Sequence, residues 1–157
     1  MVSSRRKLLL IGISASLPAL LPSGWQVFAG DARGPVSVDA DNLAIQGYDP
    51  VAYFTDGKPV KGSSEFESEW LGARWRFASP AHRELFSSQP ESYAPRFGGF
   101  CAMALAQGAR VSPNPEDWAI IDGKLYLNFD QKTVADWQRD PAGNARKAEK
   151  NWLALSH

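Results

Sequence analysis

Sulfur and imidazole are scarce in this chain. Of its 157 residues, one is cysteine (Cys101), two are methionine and two are histidine (His82 and His157). One cysteine cannot close an internal disulfide, so an apolar core has to hold the fold. No CxxC is present, and no G-x-S-x-G or glycine-rich phosphate loop. Nucleophile-elbow hydrolases and P-loop enzymes are thereby excluded. There is no internal repeat and no low-complexity tract. Apolar residues make up 44% and charged residues 22%, which fits an ordinary globular domain and not a disordered chain.

The longest apolar run lies near the start. Arg5, Arg6 and Lys7 precede Leu8 to Leu21, and V-F-A follows at Val27 to Ala29. A basic stretch, a run of 14 largely apolar residues and a small-residue site predict a secretory signal peptide over residues 1–29. The run is short for a membrane span, which needs about 20 residues. Ser4, Arg5 and Arg6 resemble a twin-arginine signal, so the expected location is periplasmic or secreted. Cleavage after Ala29 would leave 128 residues with 14 Lys+Arg against 17 Asp+Glu, a net charge of −3. No basic block survives, which argues against nucleic acid as a partner. Five Trp, four Tyr and seven Phe remain to build the core.

Residues 30–46 read as an N-terminal extension, with a short strand at Val36 to Asp39. Asp49 before Pro50 predicts a helix start. EFESEW and ARWRFA alternate, and Leu71-Gly72 links them. This predicts a hairpin that buries an aromatic face and pairs glutamates with arginines on the other. Ser79-Pro80 opens a helix that turns Leu85 and Phe86 inward, and Pro90 opens a brief one. Gly98 to Gln107 reads as the next helix, closed by Gly108. WAII, Asp122-Gly123 and KLYLNF make a second hairpin. Two helices follow, Thr133 to Gln138 and Ala142 to Leu155. The expected fold is α+β: a small single domain of two β-hairpins packed against several short helices.

The chain from Gly47 to about Trp152 resembles the YHS domain family in its exported, stand-alone branch. GYDPVAYF, GSSEF, the spacing W-x-F-x-S-P-x-H-R-x-x-F, P-x-x-Y-A-P, G-G-F-C-A, NPEDW and I-D-G-K-L-Y-L-N carry the resemblance. It implies a small α+β module over residues 47–157. Some family members, attached to heavy-metal transporting ATPases, carry cysteine pairs and are taken as metal-binding. This chain departs from that pattern, since it has no second cysteine.

The resemblance and the residues together point to a binding module for a metal ion or small ligand, with a transition metal as the cofactor considered. Gly98, Gly99, Cys101 and Tyr48 are the candidate ligand-binding residues, and Cys101 with His82 the candidate metal ligands. Cys101 reads two ways. It is either a thiol activated by a helix N-terminus or a small buried residue sharing a helix face with Phe97 and Leu105. On a helix Met103 would point away from Cys101 and could not chelate with it. His82 is either a second ligand or a surface or half-buried residue hydrogen-bonded to the backbone. A carboxylate such as Glu84 or Asp117 would have to complete a zinc site. Asp49 is explained by helix capping. Tyr48, Tyr53 and Tyr93 either rim a pocket with Trp118 or belong to the core. Two further readings stand beside this one: a redox or catalytic protein using Cys101, and an interaction module without a small ligand. No catalytic residue is assigned.

Overall fold

The structure, a computed structural model, describes residues 35–155. The predicted signal peptide and His157 lie outside the described residues. Hairpin one is β1 (Ser63–Trp70) and β2 (Ala73–Phe77), and hairpin two is β3 (Asn114–Ile121) and β4 (Lys124–Asn128). Each is a two-stranded antiparallel sheet by itself. Around them lie α1 (Ala52–Thr55), α2 (Pro80–Ser88), α3 (Pro90–Tyr93), α4 (Ala102–Ala106), α5 (Gln131–Arg139) and α6 (Pro141–Leu155). The domain is therefore α+β, with both expected hairpins in place. No helix among the described residues is long and apolar enough to cross a membrane.

Alternation in hairpin one works as the sequence suggests. Ala73, Trp75 and Phe77 are buried, and Trp75 and Phe77 pack around Phe86 of α2. On the other face Glu67 pairs with Arg76 at 2.8 Å and Arg74 at 3.4 Å. The link places Leu71 and Gly72 both at positive φ, as the hairpin twist requires. Asp122 and Gly123 do the same in hairpin two.

Strand β4 divides two cores. Its Leu125 and Leu127 belong to a first core with Ile45, Val51, Tyr53, Trp75, Phe77 and Phe86. Tyr126, between them, turns to a second core with Phe97, Leu105, Trp137, Ala148 and Trp152. The two-residue period of a strand sends one element's side chains to opposite faces. Both faces are covered here, one by hairpin one with α2, the other by α4, α5 and α6.

Several local expectations need correction. Val36 to Asp39 forms no strand, only an isolated bridge from Val38 to Ala44. Leu85 is 39% exposed, and Phe86 alone of the pair reaches the core. Helix α1 begins two residues later than Asp49-Pro50 suggests. The largest change is at Gly98 to Gln107. Phe97, Gly98 and Gly99 all have positive φ (57°, 60° and 83°), which a helix cannot contain. Helix α4 starts only at Ala102, with Cys101 as its N-cap. Phe97 therefore shares no helix with Cys101 and Leu105.

Candidate functional site

His82 is held by a buried carboxylate. It sits in the first turn of α2, where Ser79 Oγ accepts from its backbone N–H at 3.1 Å. Its ring Nδ1 lies 2.6 Å from Asp49 Oδ2. The Asp49 side chain is fully buried and that of His82 is 15% exposed. Asp49 Oδ1 accepts from the backbone of Val51 (2.8 Å) and Ala52 (3.3 Å), and Oδ2 from Ala78 N (2.8 Å). A carboxylate taking three backbone N–H bonds acts as an acceptor, so His82 Nδ1 is the donor between them. That assignment fixes the tautomer of the neutral ring and leaves Nε2 as its lone-pair atom.

Nε2 lies 3.2 Å from Thr55 Oγ1, at the end of α1. The same hydroxyl is 2.8 Å from Asp56 Oδ1 and 3.2 Å from the Val51 carbonyl. The Thr55 hydroxyl has one proton and can donate to only one of these acceptors at a time; Asp49, His82, Thr55 and Asp56 lie in series from the core to the surface. Thr55 and Asp56 are exposed. Two of the Asp49 contacts are local, to the backbone at the start of α1, and the other two reach Ala78, just after β2, and His82 of α2.

Cys101 lies elsewhere. It is fully buried. Its Sγ accepts from Ala104 N at 3.4 Å, and its S–H faces Asn128 Oδ1 at 3.9 Å. Its backbone N–H donates to Val111 O at 2.9 Å. Met103 presents its backbone N–H to Asn128 Oδ1 at 3.3 Å. The hydrogen bonds of Cys101 and those of His82 have no partner in common.

The remaining candidates separate further. Gly98 and Gly99 serve a close backbone approach: a Cβ on Gly98 would stand 2.0 Å from Pro35 O, and one on Gly99 would stand 2.8 Å from Ile45 Cγ2. Gly98 O also accepts from Ser37 N at 2.8 Å. Tyr48 donates to Glu116 at 2.9 Å, and Lys61 Nζ sits 4.2 Å from its ring centre. Burial, with the Glu116 carboxylate beside it, pushes the Tyr48 phenol up. Tyr53 is core, donating to Pro115 O at 2.7 Å and meeting Trp118 edge-on. Of the two carboxylates considered for zinc, Glu84 is exposed, while Asp117 is buried and taken by the Asn114 and Gln131 amides.

Among the described residues no three or more His, Cys, Asp and Glu side chains come together as a metal site. A closed, four-ligand centre therefore does not fit the described residues. What the residues do offer is one oriented imidazole with a carboxylate near it.

Residues 51–97 match the family model for the YHS domain. The match contains Thr55, Asp56 and His82, begins just after Asp49 and ends before Cys101. No curated protein and no solved structure matches the chain.

Proposed function

We propose that this protein is an exported binding module that holds a metal ion or small ligand transiently, with His82 Nε2 as the contact atom. The observation that supports the reading is the 2.6 Å bond between His82 Nδ1 and the fully buried Asp49. A carboxylate behind an imidazole orients the ring and raises the basicity of its outer nitrogen, as it does for histidines that ligate metals. Asp56, reached through the Thr55 hydroxyl, is the second donor. One imidazole and one carboxylate suit a borderline divalent ion. They are too few for a structural site and suit an ion that exchanges. The leader sequence supports a periplasmic or secreted location.

Zinc and copper(II) competition titrations on the folded protein, with His82→Ala and Cys101→Ser beside it, test the reading. Binding that disappears in His82→Ala and persists in Cys101→Ser is the expected result. A wild-type protein that binds neither ion, or a His82→Ala protein that binds like wild type, overturns the metal form of the proposal.

A further inference from the structure

One side chain covers His82 Nε2. Thr55 Oγ1 stands 3.2 Å from it, in hydrogen-bonding geometry. Nδ1 donates to Asp49 at 2.6 Å, so Nε2 of the neutral ring is an acceptor, and only the Thr55 hydroxyl can donate between the two. That hydroxyl has a second acceptor within reach, Asp56 Oδ1 at 2.8 Å. The Val51 carbonyl, also 3.2 Å away, already accepts from the backbone N–H groups of Phe54 and Thr55. The single hydroxyl proton is therefore contested by Nε2 and Asp56.

Distance decides what this means for a ligand. A zinc–imidazole bond is about 2.0 Å long. An ion on the line from Nε2 to Thr55 Oγ1 would stand about 1.2 Å from that oxygen, far inside any coordination bond. The hydroxyl thus sits in the seat that an ion bonded to Nε2 would take. Leaving that seat does not orphan the hydroxyl, because Asp56 Oδ1 can accept its proton. Two arrangements are then available, each with a satisfied hydroxyl. In one the proton goes to Nε2 and the ring is covered. In the other it goes to Asp56 and the Nε2 lone pair is open. Thr55 and Asp56 are exposed, while the His82 side chain is 15% exposed and Asp49 lies fully buried behind it. A ligand arriving from solvent therefore meets Thr55 on the side of the ring away from Asp49.

We infer that Thr55 gates this site: its hydroxyl occupies the seat of an incoming ligand on His82 Nε2 and must withdraw before a bond forms there. This role rests on the reading of Nε2 as the contact atom, but the covering of Nε2 is measurable without a metal. Thr55→Ala empties the seat. Thr55→Val keeps the branched shape and puts a methyl group where the hydroxyl stood. Carbethoxylation of His82 by diethyl pyrocarbonate, located by peptide mass to separate it from His157, reads access to the ring nitrogen. Zinc competition titration reads binding. Thr55→Ala raises both the reaction rate and the zinc affinity about three- to tenfold, the scale of one net hydrogen bond. Thr55→Val lowers both, and Thr55→Ser, which keeps the hydroxyl, stays near wild type. Thermal melts confirm that the variants fold. A folded Thr55→Ala whose His82 reacts no faster than in wild type overturns the gate. So do Ala and Val variants that shift zinc affinity in the same direction, since loss of the hydroxyl alone would then be the cause. Faster modification of His82 in Thr55→Ala with no zinc bound by any of the proteins supports the gate and overturns only the metal reading.

Discussion

Each of the two cores buries one polar side chain completely, and the two are treated differently. In the first core Asp49 has both carboxylate oxygens occupied, by three backbone N–H groups and His82. In the second, Asn128 uses Oδ1 for Met103 and Cys101, while its Nδ2 has no hydrogen-bond partner. A buried polar group costs free energy unless its bonds are made. Asp49 meets that demand in full, and in doing so it ties α1, the end of hairpin one and α2 to one point. Asn128 meets it in part and does a local job at the start of α4. The fully satisfied network leads to a partly exposed imidazole. The partly satisfied one leads to a thiol with no exposure. This contrast is why the functional reading rests on His82 and leaves Cys101 as core and cap.

Removing each centre in turn breaks the comparison. Asp49→Ala strips an acceptor from three backbone donors and from His82, and should lower stability by about 3–5 kcal/mol. Denaturant unfolding with an unchanged m-value would measure it. A loss below that of an ordinary surface change would mean that the network does not organise the first core. Cys101→Ala should cost about 1–2 kcal/mol, for the lost sulfur volume and the weak cap at Ala104. In the intact protein the Cys101 thiol should react with an alkylating reagent only as fast as the domain opens. Rapid labelling under native conditions would place the thiol at the surface and remove the contrast.

The smallest effect is alkaline. Burial comes first among the causes that push the Tyr48 and Tyr126 phenols up, the one packed against the first core and the other within the second. A folded-state value above the unfolded one, about 10, favours the folded state below that pH. The contribution fades as pH rises through the folded value. Melting temperature should therefore hold to about pH 10 and fall beyond it, with a shallower fall in Tyr48→Phe. The same slope in Tyr48→Phe and wild type would remove Tyr48 from the effect.

Local signals in the sequence suffice for much of the fold. Alternating aromatics, Glu–Arg facing pairs and the Asp-Gly turn are short-range features, so both hairpins are legible. So is the Ser79-Pro80 start of α2, and with it the position of His82. The segment around Cys101 misleads, because Phe97 takes a left-handed conformation that its side chain does not advertise. Only the close packing of Gly98 on Pro35 and of Gly99 on Ile45, both distant in sequence, calls for that conformation. The candidate site is half legible in the same way. His82 stands out as the sole internal histidine, but helix capping looks like the whole role of Asp49.

Composition and period alone determine that this is a small α+β domain without disulfides, with an aromatic core and two hairpins. Those properties follow from neighbours a few residues apart. Tertiary structure decided the rest. It set Asp49 behind His82 across 33 residues, brought Thr55 against His82 Nε2 across 27, and sent Cys101 into a buried position beside Asn128. Contacts of that range carry no local pattern, because the chain between them can fold in many ways before packing selects one.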